Sequence, residues 1–81
     1  MYYTYILESV GKPGTRYIGH TWNLKRRLER HNDGKTRSTF KYRPWKLKLY
    51  VAFETRRQAR DFERYLKSGS GHAFANRHFW K

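Results

Sequence analysis

The chain has 81 residues, of which 19 are Lys or Arg and 6 are Asp or Glu, so its formal net charge is +13. Its length allows one compact domain, and the absence of cysteine excludes both a disulfide framework and a thiolate metal site. We therefore expect a single domain over residues 1–81 that folds in a reducing compartment, the cytoplasm.

The strong positive charge attracts polyanions, and nucleic acid is the commonest polyanion inside a cell. No apolar run approaches the roughly 18 residues that span a bilayer, and the first nine residues lack the layout of a signal peptide. We therefore expect a nucleic-acid partner, no membrane and no export. A ribosome-associated or merely soluble basic protein is the alternative reading of the charge.

The start of the chain predicts a β-hairpin. Residues 1–8 are rich in Tyr, Ile and Leu, which predicts a strand. Tyr3, Tyr5 and Leu7 share one face of it. Two glycines and a proline between residues 10 and 15 mark a turn. A second short strand over residues 16–20 completes the hairpin.

A helix is expected next, over residues 22–32. Thr21 can cap its start, and Asp33-Gly34 supplies its end. Residues 34–46 show no periodicity, which indicates a loop with room for a short helical piece.

The second half of the chain predicts one strand and two helices. Residues 47–53 alternate apolar and polar side chains, as a strand with one buried face does. Thr55 can cap a helix over residues 56–67, whose end is marked by the Ser and Gly residues 68–71, and a short helix is expected over residues 72–78. The predicted fold class is α/β of the α+β type: a small, mainly antiparallel three-stranded sheet flanked by helices.

Two charged residues and a histidine fall on the inward faces of these helices. At about 100° per residue, Arg27 and His31 lie in the same narrow sector as Leu24 and Leu28. By the same spacing Glu63 lies on the apolar face of the second helix. An unpaired buried charge costs several kcal/mol, so such groups are usually paired, bound to a metal or placed at a cleft. Pairing of Glu63 with Arg27 across the helix interface is the simplest structural explanation.

Glu63 is also the best candidate for a metal ligand, since the other five carboxylates fall at expected turns, helix ends or outward faces. One carboxylate, several waters and a substrate phosphate suffice to hold Mg²⁺. A two-metal site normally needs more acids than this helix face offers. Zinc is disfavoured, because the four histidines lack ligand spacing and there is no thiol.

The loop over residues 34–46 combines cations with aromatic rings, which suits contact with phosphates and stacking on exposed bases. Its alternative reading is a solvated basic loop with Trp45 anchored in the core. The residues that we predict to bind nucleic acid are Lys35, Arg37, Lys41, Arg43 and Lys46 in this loop, together with Lys67.

Five of these positions together resemble the GIY-YIG nuclease family, and the similarity covers nearly the whole chain. Tyr17-Ile18-Gly19 is the YIG element itself, and an arginine follows its tyrosine by ten residues. Within the family the chain is most similar to small stand-alone bacterial members, and it is similar to the catalytic domain of the excision-repair incision subunit. The positions that match the family's catalytic residues are Tyr5, Tyr17, Arg27, His31 and Glu63.

The resemblance implies a metal-dependent DNA endonuclease that hydrolyses a phosphodiester by in-line attack of water, in DNA repair or recombination. It implies that Glu63 binds Mg²⁺ or Mn²⁺ and that Arg27 stabilises charge on the phosphate. Under this resemblance we expect Tyr17 to take the water's proton, with His31 as the rival base or an orienting group, and Tyr5 to position Tyr17 or the water.

So short a domain has little room to read sequence. We therefore expect selectivity from DNA shape, from a protein partner or from self-association. The alternative function is a non-catalytic basic DNA- or RNA-binding module.

Overall fold

A computed structural model describes residues 1–80, so the predicted domain of residues 1–81 extends one residue beyond the described part of the chain. None of the helices in that part is long and apolar enough to cross a membrane. A short 3-10 turn lies at Phe40–Tyr42. The strands and helices are β1 (Tyr2–Ser9), β2 (Arg16–Thr21), α1 (Leu24–Asn32), β3 (Trp45–Phe53), α2 (Arg56–Leu66) and α3 (Gly69–His78).

The three strands form one antiparallel sheet in the order β2-β1-β3. In the middle of β1, Tyr5 lies opposite Gly19 of β2 and Tyr50 of β3. With helices beside this sheet, the predicted α+β fold class is confirmed.

The two faces of the sheet carry different helices, because alternate residues of β1 point in opposite directions. On one face, Tyr5 and Leu7 pack with Trp45 and with Leu24 and Leu28 of α1. On the other face lies α2, where the Thr4 hydroxyl donates a hydrogen bond of 2.6 Å to the carbonyl of Ala59. The sheet therefore separates the residues of α1 from those of α2.

The start of α1 differs from its prediction. The helix begins at Leu24 and is capped by Asn23, whose side chain accepts the N–H of Arg26 at 3.0 Å, so Thr21 is not the cap. Thr21 instead accepts the N–H of Asn23 at 3.2 Å. Both residue types favour N-caps, and the hairpin extends one residue further than its alternation indicates. As a consequence, Trp22 lies outside the helix.

Helix α2 ends at Leu66, one residue before its predicted end, but α3 begins at Gly69, three residues earlier than predicted. Ser68 is the N-cap of α3 and accepts the N–H of Gly71 at 3.2 Å. A Cβ at Gly71 would overlap the backbone of Tyr65 and Leu66. The small residues that resemble a helix stop thus allow two helices to meet closely.

Strand β3 is longer than predicted and less regular. It begins at Trp45, and its pairing with β1 shifts in register between Ile6 and Leu7. Leu47, which the alternation places on the buried face, is 36% exposed. The irregularity explains this, because one extra residue in a strand interrupts the two-residue alternation.

Candidate active site

The site is built around the buried phenol of Tyr5, which is 2% exposed. Its hydroxyl lies 3.0 Å from Nε2 of His31, whose Nδ1 lies 2.7 Å from Oγ1 of Thr39. The Thr39 hydroxyl donates to the carbonyl of Thr36 at 3.4 Å, so its oxygen accepts a proton from His31. We therefore assign the proton of the neutral imidazole to Nδ1, which leaves Nε2 to accept the Tyr5 hydroxyl.

Arg27 completes this chain on the helix side. Its Nε–H donates a long hydrogen bond of 3.4 Å to the Tyr5 oxygen. Burial raises the pKa of Tyr5 to about 12, although the hydrogen bond from Arg27 opposes that rise. Burial, together with the positive charges of Arg27 and Arg30, lowers the pKa of His31 to about 4. Near neutral pH, Tyr5 is therefore a phenol and His31 a neutral imidazole.

Tyr17 belongs to the same cluster of rings but is differently placed. Its ring centroid lies 6.3 Å from that of Tyr5 and 4.9 Å from that of His31. The side chain is half-buried, and its hydroxyl makes no hydrogen bond within residues 1–80. Of the two tyrosines in the cluster, Tyr17 is thus the one with a hydroxyl available to a ligand.

The glycine of the YIG element leaves space for the Tyr5 hydroxyl. A Cβ built on Gly19 would lie 2.6 Å from that oxygen and 2.7 Å from the carbon that carries it. Any side chain at this position would displace the phenol from His31 and Arg27. The requirement for glycine is therefore one of space.

Glu63 approaches the same region from α2. Its Oε1 accepts from Nδ1 of His20 at 2.5 Å, and its Oε2 accepts from Nζ of Lys67 at 2.7 Å. Burial alone would raise the pKa of Glu63, but the hydrogen bonds from Lys67 and His20 outweigh it and hold the pKa below its ordinary value. The carboxylate is therefore ionised at neutral pH, with 18% of the side chain exposed.

His20 is a site residue that the sequence analysis missed. It pairs with Thr4 in the hairpin register, so it points to the α2 face while its neighbour Gly19 points to the α1 face. The signal was present, because the alternation of β2 places residue 20 on the same side of the sheet as the inward face of α2.

The simple structural explanation, a pair between Arg27 and Glu63, is wrong. The ion-pair partners of Glu63 within residues 1–80 are His20 and Lys67. Arg27 instead contacts Tyr5, and the negative charge of Glu63 is one of the factors that raise the pKa of Tyr5. The hydrogen-bonded cluster and the carboxylate thus contact neighbouring residues of β2, Gly19 and His20, from opposite faces of the sheet.

The carboxylate of Glu63 is suited to bind one hard divalent cation. Within residues 1–80 there is no group of three or more His, Cys, Asp or Glu side chains that could hold a metal. An ionised, partly exposed carboxylate is the ligand that Mg²⁺ takes when water and substrate phosphate complete its shell. The ammonium of Lys67 pairs with Oε2 of Glu63, and a metal ion bound to this oxygen would take the place of that ammonium. The residues present fit a single divalent ion on Glu63.

The predicted nucleic-acid contacts divide into two groups. Lys35, Arg37 and Lys41 are exposed in the loop and form no ion pair within residues 1–80. Of these, Lys41 lies over the ring of Tyr42, with 5.5 Å between Nζ and the ring centroid. The other three contact oxygen atoms, namely Lys46 a carboxylate oxygen of Glu8, Lys67 one of Glu63, and Arg43 the carbonyl of Phe40.

The alternative reading of the loop holds for Trp45, which is 4% exposed and donates from Nε1 to the carbonyl of Thr39. That ring is therefore unable to stack on a base.

Comparison with known proteins identifies relatives of the chain. A family profile described as the GIY-YIG catalytic domain matches residues 1–76. A UPF0213 protein of Bacillus licheniformis is 39% identical over 82% of this chain and 67% of its own length. A UPF0213 protein of Streptococcus pyogenes is 41% identical over 80% of this chain and 70% of its own length.

A longer protein is also similar. The structure-specific endonuclease subunit SLX1 of Candida dubliniensis is 39% identical over 95% of this chain but only 28% of its own length. The chain thus spans about two thirds of the bacterial relatives and little more than a quarter of SLX1.

Proposed function

The chain belongs to the GIY-YIG family and is an endonuclease-type enzyme, and from this premise we propose that it cleaves DNA with one bound Mg²⁺ or Mn²⁺ ion, selecting its substrate by structure rather than sequence. We propose further that residues 1–81 act as one domain, in the cytoplasm and in DNA repair or recombination. The observation that carries the activity is that Tyr5 and Arg27 are hydrogen-bonded beside Gly19, while the ionised Glu63 is hydrogen-bonded to His20, the next residue of β2.

Arg27 is the group proposed to hold the scissile phosphate. Its Nε contacts Tyr5 and it forms no ion pair within residues 1–80, so its guanidinium carries positive charge that no internal carboxylate neutralises. A guanidinium offers a fixed fork of donors to the non-bridging oxygens as charge develops on them.

Tyr17 is proposed as the residue that accepts the proton of the attacking water. The support is geometric, since its hydroxyl is available to a ligand while that of Tyr5 already donates to His31. His31 is fully buried and both of its ring nitrogens have partners, which favours a positioning role over that of rival base. Tyr5 then links His31 to Arg27 and fixes the guanidinium.

Glu63 is the residue that would hold the divalent ion, oriented by its hydrogen bond with His20. When bound, such an ion supplies Lewis-acid stabilisation of charge on the phosphate, worth several kcal/mol. Nucleases of this family generally depend on a divalent metal. The choice of Mg²⁺ or Mn²⁺ rests on the single hard carboxylate ligand.

DNA is the proposed substrate because of the +13 charge and because two relatives of longer chain, from Candida dubliniensis and Giardia intestinalis, are named as structure-specific endonuclease SLX1 proteins. The word subunit in those names also supports a protein partner, or self-association, as a source of selectivity. The role in repair or recombination rests on the same similarity.

The test is cleavage of nicked, flapped, branched and continuous duplex DNA with Mg²⁺ or Mn²⁺. We expect cleavage of the interrupted or branched substrates, its loss with a chelator, and a fall of at least about 100-fold in Glu63→Gln, which cannot supply the charge that a metal requires. Asp61→Asn is the matched control, because Asp61 is a carboxylate on the same helix that is exposed and pairs with Arg57 and Arg60. It should cleave like the parent chain.

Two outcomes contradict the proposal. Tight binding of all these DNAs without cleavage by the parent chain would favour the non-catalytic module. Equal losses in Glu63→Gln and Asp61→Asn would show that the effect comes from the charge of α2 and not from a metal ligand.

A further inference from the structure

Trp22 is an exposed indole beside the candidate active site. It lies between the end of β2 and the cap of α1, and it is 59% exposed. The other two tryptophans differ, since Trp45 is buried and Trp80 lies under the guanidinium of Arg16 at 3.7 Å. Within residues 1–80 the ring of Trp22 has no aromatic neighbour, cation or hydrogen-bond partner assigned to it. The ring therefore presents a face on which a planar ligand could stack.

Two shallow hollows meet at this ring. One, of about 250 Å³, is also lined by Arg26, Arg27 and Arg30. The other, of about 280 Å³, is lined by Arg27, Arg56 and Tyr2 besides Trp22 itself. Arg27 therefore borders both hollows, and through Arg27 both are continuous with the proposed phosphate site.

The charge around Trp22 is positive and unbalanced. None of the ion pairs within residues 1–80 includes Arg26, Arg30 or Arg56. Arg56 is held over the ring of Tyr2, with 5.6 Å between its guanidinium carbon and the ring centroid. An unpaired aromatic face surrounded by guanidinium groups matches the two parts of a nucleotide, a planar base and a phosphate.

We propose that Trp22 stacks against an unpaired base of the substrate strand next to the scissile phosphate, while the arginines of the two hollows hold the phosphates on either side. This inference rests on the proposed function and narrows its substrate class. In continuous duplex both faces of every internal base are covered by neighbouring base pairs, and withdrawing a base costs a few kcal/mol. A flap, a gap or a frayed junction offers an uncovered base without that cost.

Binding measurements test the role of Trp22 independently of cleavage. We would measure dissociation constants in the Glu63→Gln background for a labelled single strand, a flapped duplex and a continuous duplex. Trp22→Ala should weaken binding of the single strand and the flap by about 5- to 150-fold, the loss expected for one base-stacking ring, and leave the continuous duplex within about twofold. Trp22→Phe, which keeps an aromatic face, should retain most of the affinity.

Tyr50→Ala is the matched control, because Tyr50 is an aromatic residue of β3 that is 51% exposed and lines neither hollow. It should bind all three DNAs like the parent chain. A 2-aminopurine base moved along the unpaired strand gives a second readout. Its fluorescence should be quenched on binding at one position next to the cleavage site, and Trp22→Ala should remove that quenching.

Three results would contradict the stacking of Trp22 on an unpaired base. Equal losses on all three DNAs, an unchanged Trp22→Ala, or quenching that persists in Trp22→Ala would overturn it. If the parent chain binds but cleaves nothing, the proposed function fails, while the same binding comparison still decides the role of Trp22. Thermal unfolding of each variant shows whether a loss comes from misfolding instead.

Discussion

At the scale of single residues, the hydrogen-bond chain through Tyr5 explains why a tyrosine and a histidine are buried together. His31 accepts a hydrogen bond from the Tyr5 hydroxyl only while its imidazole is neutral, and burial keeps it neutral near pH 7. Phenylalanine at position 5 would leave Nε2 of His31 buried without a partner, a loss of about 1–3 kcal/mol. The Tyr5 hydroxyl also accepts the Nε–H of Arg27, so the buried pair both stabilises the domain and positions this guanidinium.

The buried histidine predicts a dependence of stability on pH. The pKa of His31 is about 4 in the folded chain against 6.5 ordinarily, so the unfolded chain binds more protons between these values and stability falls as pH falls. We expect the free energy of unfolding to decrease by about 2 kcal/mol between pH 7 and pH 5. Urea denaturation at a series of pH values measures it.

Two variants separate His31 from the other histidines. His31→Gln should be less stable at pH 7 but should lose most of the dependence between pH 7 and pH 5. His72→Gln is the control, because His72 is exposed on α3, and it should keep the parent's dependence. An unchanged pH dependence in His31→Gln would show that another group is responsible.

At the scale of elements, the sequence predicts which segments are helices and strands but not every place where they begin. Thr21 and Asn23 are both good caps, and only the length of the hairpin decides between them. The glycines at positions 69 and 71 fit either a helix stop or a close helix contact. The choice depends on the backbone of Tyr65 and Leu66, which lies outside any local pattern.

The start of α3 can be tested with its two helical glycines. A Cβ at Gly71 would overlap backbone atoms of α2, whereas a Cβ at Gly69 would meet nothing within 4 Å. We therefore expect Gly71→Ala to lower the free energy of unfolding by about 1–3 kcal/mol or more, as overpacking does. Gly69→Ala should leave it unchanged or raise it by up to about 1 kcal/mol, since alanine favours helix. Equal effects in chemical denaturation would contradict the close contact between α2 and α3.

At the scale of the whole molecule, the site depends on four elements that come from both halves of the chain. The residues that spacing and resemblance predict, namely Tyr5, Tyr17, Arg27, His31 and Glu63, lie on β1, β2, α1 and α2. The sequence analysis missed His20 and Thr39. The alternation of β2 indicates the face of the sheet on which His20 lies, but it does not identify Glu63 as its partner, and no pattern marks Thr39 as the partner of His31. Their roles follow only from the packing of α2 and of the loop against the sheet.

The distribution of charge leads to a prediction about DNA binding. The acids in ion pairs within residues 1–80 are Glu8, Asp61 and Glu63, so some cations are already paired, while Lys35, Arg37 and Lys41 of the loop are in none of these ion pairs. Each phosphate contact contributes about −0.9 to the slope of log affinity against log salt concentration on duplex DNA. If Lys35, Arg37 and Lys41 each contact a phosphate, their replacement by Gln should make the slope shallower by up to about 3.

A matched control replaces three cations of α2. It removes the same charge, but two of these cations already pair with Asp61, so the slope should change by less than 1. Both slopes are measured by titrating the Glu63→Gln background with duplex DNA at several salt concentrations, and equal changes in the two variants would show that net charge, rather than the loop, determines binding. The loop residues replaced are Lys35, Arg37 and Lys41, and the helix residues are Arg57, Arg60 and Arg64.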